Sequence, residues 1–176
     1  MNGTPPSRHG CPTTTWSRSS LPWPVVDVAR WSRVGPEPID SHDVMRRVGD
    51  VGHGAVVLFV GTVRDHAEGR RVSGMGYEAY ASMAEAVLSD IVDEASARWG
   101  TDHIAAAHRI GELDLGEVSV AIAVSTPHRV DAYDASRYVI EQIKVRLPVW
   151  KHEHFVEGDS RWVPGQTPPT VSRVDR

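Results

Sequence analysis

Of the 19 basic residues in this chain, 17 are arginine and two are lysine, and the lysines stand seven positions apart in Lys144-Val-Arg-Leu-Pro-Val-Trp-Lys151. The distinction is chemical. An arginine guanidinium keeps its charge in proteins, whereas a partly desolvated lysine ammonium can give up a proton and serve as base or nucleophile. Lysine thus suits proton or group transfer, and arginine suits holding an anion. Either the pair does chemistry, or an arginine-rich composition has left two solvated lysines behind. At no more than about 3.5 Å per extended residue, their Cα atoms lie roughly 15 to 20 Å apart, and side chains of about 6 Å each bring both ammonium groups within reach of one ligand. The other outcome is that each points separately into water.

Three more cations stand at element ends. His128-Arg129 follows an apolar run, residues 118–126, and precedes a helix expected from Asp131. Such strand-to-helix junctions present free amides and often hold ligands in α/β sheets. Arg64 ends another apolar run. Arg64, His128, Arg129, Lys144 and Lys151 therefore form a candidate pocket for phosphate or carboxylate, with arginine giving two-pronged contacts. The competing reading pairs each cation with a nearby Asp or Glu. The single cysteine, Cys11, lies in MNGTPPSRHGCPTTTWSRSS, so the globular part offers no thiol for disulfides, cysteine-based zinc sites or nucleophilic catalysis.

The elements that must position these groups follow from periodicity. Val25–Val34 is a candidate first strand with Trp31 as an anchor, and Asp40 or Ser41 caps a short helix through Arg47. Gly49, Gly52 and Gly54 mark a turn. Ala55–Val63 is a β-branched strand expected to be covered on both faces, with Gly61 at a bulge or close backbone approach. Asp65–Gly76 reads as a flexible polar connection and Met75–Tyr80 as a strand. From Ser82, Ala84, Val87, Leu88, Ile91, Val92 and Ala95 recur at helical spacing, and Gly100 supplies the stop. Ile104–Ile110 and Val118–Thr126 are strands joined by GELDLGE. A second helix runs from Asp131 to about Arg146, burying Ala132, Ala135, Val139, Ile140 and Ile143, and Pro148 prevents its continuation. Trp150–Val156 is a last extended segment.

With 176 residues, 40% of them hydrophobic and 24% charged, the chain fits one α/β domain over residues 25–163, a disordered extension over 1–24 and a flexible tail over 164–176. A net charge of −4 without a basic stripe argues against nucleic acid as a partner. No run reaches the roughly 18 apolar residues of a membrane span and no apolar signal core is present, so a cytoplasmic location is expected.

Taken in order, several motifs resemble one family. Gly54-Ala55, Phe59-Val60-Gly61-Thr62-Val63-Arg64, Tyr77-Glu78-Ala79-Tyr80, Met83-Ala84, His108-Arg109-Ile110-Gly111, Gly116-Glu117, His128-Arg129, and Lys144 through PVWKHE are similar to the large, catalytic subunit of molybdopterin synthase, the MoaE-like family. Each motif alone is weak, whereas the ordered set across residues 37–163 is specific. The resemblance implies an α/β hammerhead-type fold, a mixed sheet with packed helices. It also implies a homodimer that binds two copies of a small ubiquitin-like sulfur carrier, forming a heterotetramer.

The activity implied is sulfur transfer: two sulfurs arrive as the carrier's C-terminal Gly-Gly thiocarboxylate and convert cyclic pyranopterin monophosphate to the dithiolene of molybdopterin, in molybdenum cofactor biosynthesis. No metal or cofactor is implied for the enzyme itself. A core without cysteine cannot carry a persulfide, which agrees with sulfur arriving on a partner. By the same resemblance Lys151 lies nearest the carrier's terminal carbonyl, Lys144 contacts pterin or phosphate, and the two share catalysis. Thr62, Val63, Arg64, His128, Arg129, His152 and Glu153 are then substrate-contacting, some of them from the opposite protomer, with backbone contacts at 62 and 152. Two other classes stay open: a metal site built on His152 and His154 with a third histidine, and a non-catalytic scaffold for the carrier.

Overall fold

The computed structural model describes residues 30–163. The expectations for residues 1–24 and 164–176, and the start of the strand expected from Val25, lie outside the described residues. Among the described residues, nine strands form two sheets and three helices accompany them. The first sheet contains β1 (Trp31–Gly35), β2 (Ala55–Thr62), β5 (Ile104–Arg109) and β7 (Val118–Thr126) in the order β1-β5-β7-β2. It is mixed: β1 runs parallel to β5, and the other pairs are antiparallel. Helices α2 (Ala81–Trp99) and α3 (Arg129–Arg146) cover one face and the short α1 (Ser41–Arg46) covers the other. This is the α/β class expected.

The helices form where the sequence places apolar residues at helical spacing. On α2, Ala84, Leu88, Ile91, Val92 and Ala95 are buried against α3 and the sheet, and Gly100 closes the helix at φ 63° while its N–H reaches the Ser96 carbonyl. Asp40 caps α1 by accepting from the amides of His42 and Asp43. The α3 helix begins two residues earlier than expected, with His128 at its N-cap, and ends at Leu147, which is extended because Pro148 follows. Trp31 packs on the α1 face beneath the Arg47 guanidinium, 4.1 Å from its ring centroid.

The second sheet joins β3 (His66–Ala67), β4 (Arg70–Ala79), β6 (Gly111–Leu113), β8 (Val149–Phe155) and β9 (Ser160–Val163). It corrects the reading of residues 65–76 as a flexible connection. Glu68 and Gly69, at φ 48° and 80°, make a two-residue turn between the paired β3 and β4, the backbone combination whose twist suits a hairpin. The strand expected at Met75 therefore begins at Arg70 and runs antiparallel to β8. The GELDLGE connection likewise contains β6, which pairs with Met75–Tyr77.

The expectation that both faces of Ala55–Val63 are covered is also corrected. β2 is an edge strand, and Val56 and Val60 remain 47% and 37% exposed on the face that the six-residue α1 only partly reaches. Of the two alternatives for Gly61, the bulge is the one found, and the close neighbour is a side chain. The register against β7 shifts between Gly61 and Thr62, and a Cβ at 61 would lie 2.7 Å from Val120 Cγ1. Such a bulge locally increases the twist of the strand, three residues before Arg64.

Candidate functional site

A pocket of about 420 Å³ opens between the two sheets and the C-terminal end of α3. The first sheet contributes Phe59, Gly61, Thr62, His108 and Ser119, the loop between β2 and β3 contributes Arg64, the helix contributes Ile143 and Lys144, and the second sheet contributes Tyr77, Val149 and Lys151. Both lysines of the chain thus line one cavity. Lys144 sits on the last turn of α3, and the chain then turns through Leu147 and Pro148 into β8, which carries Lys151 back across the opening.

The cations differ in their partners. Among the described residues, Arg64 and Lys144 are exposed and have no ion pair, so surface pairing with acids does not account for them. Both are free to meet an anion. Lys151 is held: its Nζ donates to Glu153 Oε1 at 2.6 Å, and the Arg161 guanidinium takes Glu153 Oε2 at 3.3 Å. Glu153 is only 2% exposed, so it faces its two cations rather than incoming ligand, and it fixes where the Lys151 ammonium stands.

Thr62-Val63-Arg64 is anchored through its backbone. Val63 N–H donates to the Glu117 carbonyl and Gly116 N–H to the Val63 carbonyl, while Glu117 holds Arg109 at 2.7 Å. His128 and Arg129 lie elsewhere. They stand at the N-terminal end of α3, about 22 Å along the helix from Lys144 at 1.5 Å per residue, and are exposed. Within one chain they do not join the pocket.

His152 stacks on Trp162 at 4.2 Å and bonds Ser160, and His154 bonds Glu112 at 2.9 Å. Both Nε2 atoms are therefore engaged within the second sheet. No cluster of three His, Cys, Asp or Glu with metal-holding geometry occurs among the described residues.

Among the pocket residues quoted in the motifs but not assigned to the site, His108 and Tyr77 carry polar groups. His108 is 8% exposed, its Nδ1–H donates to the Arg109 carbonyl at 2.9 Å, and burial holds its pKa down to about 4. Its ring meets Tyr77 edge-on at 5.3 Å. The available signal was a titratable residue within the apolar run Ile104-Ala-Ala-Ala-His108. His108 is neutral in the fold and protonates readily only when unfolded, so the unfolded chain binds more protons between pH 6.5 and 4. Stability is therefore lost as pH falls through that window, by up to about 3 kcal/mol from this group. Urea unfolding should show His108→Gln to be less stable than wild type at pH 7, yet to lose less on acidification.

The profile of the family described as MoaE protein matches residues 34–146. A curated relative, the molybdopterin synthase catalytic subunit of Halalkalibacterium halodurans, is 46% identical over 134 residues, covering 76% of this chain and 85% of the relative. The chain belongs to the MoaE family. The crystal structure of molybdopterin synthase from Staphylococcus aureus matches with a TM-score of 0.70 at 40% identity, over 75% of this chain and 96% of that one. A complex of subunits 1 and 2 of molybdopterin-converting factor from Helicobacter pylori shares the fold, with a TM-score of 0.62 at 17% identity over 78% of this chain and 93% of that one. The family match includes Lys144 and stops before Lys151, which the fold returns to the same pocket.

Proposed function

We propose that this chain is the catalytic subunit of a molybdopterin synthase, a sulfurtransferase of molybdenum cofactor biosynthesis. It converts cyclic pyranopterin monophosphate to molybdopterin with two sulfurs delivered on the thiocarboxylated Gly-Gly terminus of a small ubiquitin-like carrier. The observation that carries this reading is the convergence of Lys144, Lys151 and Arg64 on one pocket in a member of this family. Carrier tail and substrate are both anionic, and a partly water-excluding pocket strengthens their attraction to fixed cations. Arg64 and Lys144 hold the phosphate and pterin. Lys151, fixed by Glu153, meets the carrier's terminal carbonyl and offsets charge that develops as sulfur leaves it. Incubation with thiocarboxylated carrier and cyclic pyranopterin monophosphate tests the reading: a dithiolene product is expected, and carrier binding without conversion would leave only a scaffold.

The proposal extends to a cytoplasmic homodimer that binds two carriers, with His128 and Arg129 of one protomer completing the pocket of the other. Their separation from Lys144 along α3 supports that arrangement. Lys151→Ala and Arg129→Ala variants should each be inactive alone. Mixed and reassociated, they should recover about a quarter of wild-type activity, because half of the dimers are hybrids with one intact site. No recovery would place Arg129 and Lys151 in the same site of one protomer.

A further inference from the structure

Among the described residues, the pocket wall is rich in cations and carries no carboxylate: its charged residues are Arg64, Lys144 and Lys151, and its other titratable side chains are His66, Tyr77 and His108. Such a wall holds anions but offers few groups able to take up a proton. Burial holds the His108 pKa down to about 4, which makes it a weak base, and burial holds the Tyr77 phenol above its ordinary range. His66 is placed differently. It stands on the short strand β3, exposed, with its Nδ1 2.7 Å from Asp65 Oδ1. A carboxylate accepts, so Nδ1 carries the proton of the neutral ring and Nε2 keeps its lone pair. Among the described residues Nε2 has no hydrogen-bond partner. The hairpin that bears His66 is also tied to Lys151. Glu68, in the turn after β3, accepts from Arg161 at 2.9 Å, Arg161 reaches Glu153, and Glu153 holds the Lys151 ammonium.

We propose that His66, oriented by Asp65, is the catalytic base that activates water to release the carrier from the substrate. Sulfur delivered as a thiocarboxylate bonds to a substrate carbon while still joined to the carrier's terminal acyl carbon, so the transfer passes through a thioester that must be cleaved. In that cleavage a water oxygen adds to the acyl carbon as His66 Nε2 takes one of its protons. The bond between acyl carbon and sulfur then breaks with its electron pair on sulfur, and the proton on Nε2 passes to that sulfur. The carrier leaves as a carboxylic acid, which ionises, the sulfur stays on the pterin as a thiol, and the imidazole ends as it began. Lys151 and His66 divide the work: the ammonium faces the oxygen on which charge develops, and the imidazole handles the water. The role rests on the sulfurtransferase reading, which supplies the thioester.

The His66 side chain is exposed, so His66→Ala should keep the fold. The full-length chain is given thiocarboxylated carrier and cyclic pyranopterin monophosphate for a single turnover, quenched in acid, and read by intact mass. Wild type is expected to show free carrier. His66→Ala should accumulate a carrier joined to substrate by a thioester while dithiolene formation slows about 100-fold. Added imidazole should clear that adduct and recover about tenfold of the lost rate, because it replaces the missing base. Asp65→Asn, which removes the charge behind the ring, should slow turnover about tenfold with the same adduct. Dithiolene formation at the wild-type rate in His66→Ala would overturn the proposal. So would a slow variant with no adduct and no response to imidazole, the behaviour of a residue that only shapes the pocket. A wild-type chain that forms no dithiolene would overturn the sulfurtransferase reading and this role together, whereas an active wild type confines either failure to His66.

Discussion

Lys151→Ala is expected to abolish dithiolene formation, lowering turnover by about 1000-fold or more, within the range seen when a positioned acid or base is removed. Lys151 is one of two lysines in the chain, its side chain is 30% exposed, and it faces a pocket with two unpaired cations. The fold should survive with a measurable loss. Truncation leaves the buried Glu153 carboxylate with Arg161 alone, and weakening the solvation of such a group costs about 1 to 3 kcal/mol. A lower melting temperature with an unchanged circular dichroism spectrum would check that part. Lys151→Arg separates charge from chemistry: the guanidinium keeps the positive charge but is larger, planar and unable to give up its proton. A rate about 100-fold below wild type is expected, and a near-normal rate would show that charge alone suffices.

Much of the first sheet and its helices was legible in sequence because burial there follows a single period. The α2 stripe from Ala84 to Ala95 repeats at helical spacing, and β7 is apolar because helices cover one face and α1 the other. The second sheet was harder to read. β3, β6 and β9 contain two to four residues each, several of them polar or charged, and are strands because of what they pair with. A turn such as Glu68-Gly69 is legible only once its flanks are known to be strands. β2 misled for a related reason: Val and Phe run continuously along it, yet edge position leaves Val56 and Val60 open.

The site was legible in its charges and less so in its neutral groups. The two lysines across Pro148 and Arg64, in the loop after β2, converge as the spacing allowed. His108, Tyr77 and Ser119 lie within strands whose apolar neighbours make them read as sheet core, and only the meeting of the two sheets turns them into pocket wall. His128 and Arg129 stand at the far end of α3, a separation that the helix expected over Asp131–Arg146 already implied at about 1.5 Å per residue but that grouping the cations by charge overlooked. Glu153 carried a usable signal: residues 151 and 153 alternate along β8, so a lysine and a carboxylate share one face.

That alternation supports a second large effect. Glu153→Gln keeps the volume and most of the hydrogen-bonding capacity of the side chain but removes its charge. The Lys151 ammonium then loses the partner 2.6 Å away, and Arg161 keeps only its contact with Glu68. Because Lys151 is partly exposed, its freed ammonium can turn toward water, which limits the stability loss to about 1 to 3 kcal/mol instead of the larger cost of stranding a wholly buried charge. On the role proposed for Lys151, catalysis has no such escape, since a mobile ammonium would spend less time at the carrier's carbonyl. A drop in kcat of about 10 to 100-fold is expected, with substrate KM little changed because Arg64 and Lys144 remain in place. Glu153→Asp tests the same point by distance: it keeps the charge but withdraws it by one methylene, and its kcat should fall between those of wild type and Glu153→Gln. Were both variants to melt lower yet turn over at the wild-type rate, Glu153 would be holding β8 and β9 together without orienting Lys151. Equal stability with reduced kcat would show the reverse, a carboxylate kept in the core to aim the lysine.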